Sequence, residues 1–144
     1  MTTQVGGLTT LNNGGELTIG ANLNLDGAFA QTGPGPVKLG GAVTTTGDAV
    51  TFHGATTLTA DVTLTTNGGK LEFDGPSATV DGPHRLTVST GAADAIFDAA
   101  VGSVTPLTGL EISSARNVVF AAPLSTGAAG IELTSTGTME LTGV

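Results

Sequence analysis

The Phe residues of this 144-residue chain recur at a near-constant interval, and no Tyr or Trp accompanies them. Phe29, Phe52, Phe73, Phe97 and Phe120 are separated by steps of 23, 21, 24 and 23 residues, and a further step of 21 lands on Leu141. Most of them close a short apolar-x-apolar triplet: Val50-Thr51-Phe52, Leu71-Glu72-Phe73, Ala95-Ile96-Phe97, Val118-Val119-Phe120, then Met139-Glu140-Leu141. Alternation of this kind places the outer two side chains on one face of a strand and the middle one on the other.

A second set of triplets precedes the first within each repeat: Val62-Thr63-Leu64, Leu86-Thr87-Val88, Leu110-Glu111-Ile112 and Ile131-Glu132-Leu133, with Leu17-Thr18-Ile19 as a looser match. Between the two sets lie turns of one kind, such as Thr45-Thr46-Gly47-Asp48, Thr65-Thr66-Asn67-Gly68 and Ser89-Thr90-Gly91-Ala92. Gly and Asn tolerate the positive φ of such corners, and Ser or Thr bonds the local backbone. A third, less regular part of the repeat holds Val37-Lys38-Leu39, Thr57-Leu58, Ala78-Thr79-Val80, Val101, Val104 and Leu124, together with all six prolines.

One such unit cannot bury its own apolar face, but stacked neighbours can. The pattern predicts an all-β chain folded as a right-handed parallel β-helix, or β-solenoid. It would have about six coils of roughly 22–23 residues, with three short strands per coil. Counted on the Phe residues, the single domain 1–144 divides into coils near 8–29, 30–52, 53–73, 74–97, 98–120 and 121–141. Phe29, Phe52, Phe73, Phe97, Phe120 and Leu141 would form one buried ladder. The rival is an antiparallel β-sandwich, which also has short strands at 8–12 residue spacing. It does not explain why Phe recurs once in three strands.

Charge narrows the classes of partner. Only 11% of residues are charged, and the formal charge is −8, with Lys38, Lys70, Arg85 and Arg116 the only Lys or Arg residues. Four scattered cations cannot neutralise a run of phosphates, so no nucleic-acid partner is expected. An anionic membrane surface would repel the chain, and no apolar run reaches the length of a bilayer span, so no membrane insertion is expected either. The absence of Cys removes disulfides and thiolate metal sites. Met1-Thr2-Thr3 has neither the basic nor the apolar region of a signal peptide. Neither end shows the polar, atypical repeat that caps a free-standing solenoid, so the expected partners are neighbouring solenoid repeats or identical subunits stacked end to end.

The run Val43-Thr44-Thr45-Thr46-Gly47-Asp48, then Val50 to Phe73, resembles the β-strand repeats of giant bacterial surface proteins. So does the run from Phe97 through Asp98-Ala99-Ala100-Val101-Gly102-Ser103-Val104-Thr105-Pro106 to Leu110. The families concerned are the filamentous-haemagglutinin-like exoproteins and autotransporter-type adhesins, and the resemblance covers roughly residues 37–141. It implies an exported chain at the bacterial cell surface, part of a long β-helical shaft of an adhesin or fibre; with the uncapped ends, the expected role is structural and non-enzymatic, with end-to-end assembly into filaments.

The chemistry-bearing residues are few. His53 and His84 lack a second His or a Cys at ligand spacing and read as turn or surface residues. His53, Asp74 and Asp98 each follow a Phe, so the repeat stacks them at one corner, with the two aspartates about 4.8 Å apart on adjacent coils. Asp74 and Asp98 are therefore the candidate ligands for Ca²⁺, the one cofactor the sequence suggests, although Asp at a corner also serves to bond local amides. Glu111 and Glu132 make a similar like-charge step. Paired carboxylates would also suit a carbohydrate-active enzyme. No nucleophile constellation accompanies them, and no catalytic residue is assigned. A third class, an ice- or carbohydrate-binding module, is raised by the Thr pairs at 57–60, at 63–66 and at Thr134, Thr136 and Thr138, which do not recur at one place in every coil.

Overall fold

A computed structural model describes the backbone of residues 3–143 and the side chains from residue 6 onward; Met1, Thr2 and Val144 lie outside it. The described residues contain no helix. The first coil holds β1 (Thr3–Val5), β2 (Thr9–Leu11) and β3 (Leu17–Ile19), and the second β4 (Leu23–Leu25), β5 (Phe29–Gln31) and β6 (Val37–Leu39). The third holds β7 (Val43–Thr45), β8 (Val50–Phe52) and β9 (Thr56–Leu58), and the fourth β10 (Val62–Thr65), β11 (Leu71–Phe73) and β12 (Val80–Asp81). Then come β13 (Arg85–Ser89) with β14 (Ala95–Phe97), β15 (Gly109–Ser114) with β16 (Val118–Phe120), and β17 (Ile131–Leu133) with β18 (Met139–Leu141).

Every strand pairs in parallel with its counterpart one coil away. Two walls are seven-stranded sheets, β1-β4-β7-β10-β13-β15-β17 and β2-β5-β8-β11-β14-β16-β18. The third wall is the four-stranded sheet β3-β6-β9-β12. Beyond β12 it thins to single bridges, Val80 to Val101 and Val101 to Leu124. The chain is thus a parallel β-solenoid of about six turns, and the less regular third part of the repeat is the wall that loses its ladder.

The coil length drifts along the stack. Thr3 to Leu23 and Leu23 to Val43 are steps of 20 residues. Val62 to Leu86 and Leu86 to Leu110 are steps of 24, and Leu110 to Ile131 is a step of 21. The drift moves two sequence assignments. Leu17-Thr18-Ile19 lies on the third wall, paired with Val37-Lys38-Leu39. The residues that match the second triplet set in the early coils are Leu23–Leu25 and Val43–Thr45. Phe29 pairs with Val50, so the residue beneath Phe52 is Gln31. The N-terminal coils are therefore shorter than, and offset by two residues from, boundaries counted on the Phe residues.

Phe52, Phe73, Phe97 and Phe120 are in register and fully buried. Their rings stack with centroids 5.3, 5.2 and 4.7 Å apart and planes within 15°. The strand spacing imposes this separation, which falls in the favourable range for offset aromatic stacking. Phe29 joins from its displaced position, 5.3 Å from Phe52 but tilted by 50°. Leu141 continues the register above Phe120 but is exposed.

Gln31 occupies the ladder place below Phe52 and is fully buried. It remains compatible with an apolar core because its amide is satisfied. Nε2 donates to the Asn13 Oδ1 and the Gly33 carbonyl, each at 2.6 Å, and Oε1 accepts from the His53 and Gly54 amides, each at 2.8 Å. The corner between the two long walls uses the same device. Thr45, Thr66 and Thr90 are buried, and each hydroxyl donates to the carbonyl three residues on, at Asp48, Gly69 and Ala93. These Thr side chains replace apolar core residues while satisfying the turn backbone.

Candidate functional site

The corner that follows the Phe ladder gathers three of the chain's twelve acidic residues. The strands β8, β11 and β14 end in register on Phe52, Phe73 and Phe97, so the next residues stack on consecutive coils: His53, Asp74 and Asp98. The stack is held by the amides of Asp74 and Asp98, which donate to the Phe52 and Phe73 carbonyls at 2.8 and 3.1 Å. His53 Nδ1 lies 3.5 Å from Asp74 Oδ2, and Asp98 Oδ2 accepts from the Gly75 amide at 3.1 Å.

The structure adds one residue that sequence reasoning missed. Glu72, on the outer face of β11, brings a carboxylate oxygen to this corner, and the donor oxygens of Glu72, Asp74 and Asp98 lie within 4.8 Å of one another. The signal was present: residues i and i+2 of an extended segment share a face, and Glu72 and Asp74 are so spaced. Lys70 Nζ contacts Glu72 Oε2 at 2.5 Å, and His53 sits beside Asp74. Two of the three carboxylates therefore have a cationic or titratable neighbour, and the third bonds a backbone amide. Glu72, Asp74 and Asp98 are the residues that would hold Ca²⁺, an ion that takes six to eight oxygen ligands, most of which would have to come from water here.

The remaining candidates are dispersed. Glu111 and Glu132 are register partners, as the repeat predicts, and Arg85 Nη2 pairs with Glu111 Oε2 at 2.6 Å. His84 Nδ1 lies 3.7 Å from Asp61 on the neighbouring coil. Asp94 accepts from Arg116 Nε at 2.9 Å and Nη2 at 2.8 Å, and from the Asn117 amide at 3.2 Å and side chain at 2.9 Å. The Arg116 guanidinium, bonded to it, holds the Asp94 carboxyl below its ordinary 3.8 against the opposing effect of burial, and Asp94 raises the Arg116 pKa in turn. Asp81 is buried, and its carboxylate caps the amides of Val104 and Thr105 at 2.7 and 3.2 Å, fixing the loop between the fifth and sixth coils.

On the outer face of the first long wall, Asn24, Thr44, Thr65, Ser89 and Ser114 are successive register partners. This polar rank is more regular than the Thr pairs suggest in sequence, because the phase of each coil shifts between repeats. The described residues enclose no pocket. A substrate would meet an open wall. Among the described residues no helix is long and apolar enough to cross a membrane. Compared with protein-family models, curated proteins and solved structures, the chain matches none.

Proposed function

We propose that this chain is a non-catalytic stretch of an extracellular β-solenoid shaft at a bacterial cell surface, and that its terminal coil seats the first coil of a second copy. The observation that carries the reading is the last coil. Ile131, Met139 and Leu141 are register partners of the buried Leu110, Val118 and Phe120, yet they are 46%, 42% and 44% exposed. At this face the described strand edges and ladder residues are uncovered, a template for further parallel pairing, by further coils of the shaft or by the first coil of a second copy.

Charge selects the polarity of that stacking. The last coil carries Glu132 and Glu140 on its outer faces, whereas β2 in the first coil offers Thr10. Tail against tail brings acid onto acid; tail against head does not. The ion pairing of the cations fits a structural role as well. Lys38 pairs with Glu16, Lys70 with Glu72, Arg85 with Glu111 and Arg116 with Asp94, which leaves no unpaired Lys or Arg for a phosphate backbone. The repeat grammar of residues 37–141, which resembles that of haemagglutinin-like exoproteins, supports the same reading.

Sedimentation velocity across a concentration series, with electron microscopy of the concentrated sample, tests the proposal. Rods lengthening with concentration are expected, and Ile131→Lys combined with Leu141→Lys should return the sample to monomer. A monomer at every concentration would overturn the stacking. The polar rank on the first long wall favours a second reading, a hydroxyl-lined binding face for ice or glycan. Thermal hysteresis or a glycan-array signal that is lost in Thr65→Val would support it, and a negative in both assays would remove it.

A further inference from the structure

The sequence contains two Asn-Gly pairs, Asn13-Gly14 and Asn67-Gly68. An asparagine in this setting is open to attack by the backbone nitrogen of the next residue on its own side-chain carbonyl, because glycine has no side chain to obstruct ring closure. A bond forms between that nitrogen and Cγ, the Cγ–Nδ2 bond breaks, and ammonia leaves with the proton shed by the backbone nitrogen. Water then adds to either carbonyl of the five-membered imide, giving an aspartate or an isoaspartate with one new negative charge and no change of oxidation state.

The fold treats the two pairs differently. Asn67 sits inside the stack with φ 52, its Nδ2 donates to the Thr45 carbonyl at 2.6 Å, and the attacking nitrogen, that of Gly68, donates to the Thr90 carbonyl at 3.0 Å. Both nitrogens of the reaction are thus tied to neighbouring coils, and a backbone hydrogen bond must break before the ring can close. Asn13 lies between β2 and β3 on the first described coil. Gly14 is exposed, and its N–H has no hydrogen-bond partner among the described residues. The Asn13 Nδ2 donates to the Gly15 carbonyl at 2.7 Å and to the Pro36 carbonyl of the adjoining coil at 3.5 Å, so its leaving nitrogen is bonded much as that of Asn67 is, and the two pairs differ at the attacking nitrogen. The buried Gln31 Nε2 donates to Asn13 Oδ1 at 2.6 Å, at the oxygen where negative charge develops when a nucleophile adds to Cγ.

We propose that Asn13 is a site of spontaneous intramolecular modification, its side-chain carbonyl polarised by Gln31, and that the coil-to-coil hydrogen bond of the Gly68 amide slows the same reaction at Asn67. The product places a carboxylate in a coil whose only acidic residue between positions 3 and 19 is Glu16.

The test is incubation of the folded protein in mildly alkaline buffer, with peptide mapping for the mass gain of amide-to-acid exchange and an isoaspartyl assay. The extra hydrogen bond at Gly68 predicts conversion about tenfold faster at Asn13 than at Asn67. In concentrated urea the two rates should converge. Gly14→Val, at a position where an added Cβ meets nothing within 4 Å, should suppress conversion at Asn13 and leave the melting curve in place. Gln31→Leu, assayed below its unfolding transition, should slow Asn13 without changing Asn67. Equal rates at the two sites in the folded protein, or faster conversion at Asn67, overturn the site assignment. An Asn13 rate unchanged or raised in Gln31→Leu overturns the role of Gln31.

Discussion

Truncation of Phe73 to alanine probes the ladder at its centre. Phe73 is fully buried and its ring lies between those of Phe52 at 5.3 Å and Phe97 at 5.2 Å, nearly parallel to both. Removing a buried Phe side chain costs about 3–5 kcal/mol through lost transfer free energy and the cavity left behind. Each lost ring pair is worth about 0.5–1.5 kcal/mol beyond area, which places this site at the upper end of that range. The coils above and below cannot close the gap, because their spacing is set by backbone hydrogen bonds on all sides. Leu141→Ala is the control: it occupies the same ladder position, is half exposed, and should cost under about 1 kcal/mol. With neither Trp nor Tyr in the chain, urea unfolding is followed by far-ultraviolet circular dichroism. A loss below about 1.5 kcal/mol for Phe73→Ala, or equal losses at the two positions, would refute a ladder that is both buried and rigid.

Gln31→Leu should destabilise the fold by about 1–3 kcal/mol although it makes the ladder wholly apolar, because the buried Gly54 amide loses the Oε1 acceptor; urea titration reads this directly. Gly69→Ala would put a Cβ 2.1 Å from the Asp48 carbonyl oxygen of the preceding coil and should cost about 3 kcal/mol, whereas Gly14→Ala, in open space, should stay within about 0.5 kcal/mol. Arg116 lowers the Asp94 pKa in the folded chain, so the stability this pair supplies is full above the ordinary value of 3.8 and is lost as pH falls through the lowered folded value. Urea midpoints measured across that acid window should therefore fall more steeply in the parent chain than in Asp94→Asn. Parallel profiles would show that the pair contributes nothing.

The spacing of the Phe residues was enough to establish a parallel solenoid, its approximate number of coils and the inward face of the strands from Val50 to Leu141. Hydrophobic alternation and a period near one aromatic per coil admit few other folds. The corner stack of His53, Asp74 and Asp98 followed from the same count, since each is one residue past a ladder Phe. What only the tertiary structure decided is phase. Coils of 20 residues at the N-terminus and 24 in the middle keep similar triplets, so the sequence does not tell whether Phe29 or Gln31 stands beneath Phe52, or on which wall Leu17-Thr18-Ile19 lies. The backbone hydrogen bonds between coils settle both, and with them the burial of Gln31, Thr45, Thr66 and Thr90, polar residues that composition assigns to the surface. The approach of Glu72 to Asp74 and Asp98 belongs to the same category. A local period records how often a side chain returns to the core, whereas its neighbours on the adjoining coils depend on register, which is a property of the stacked backbones.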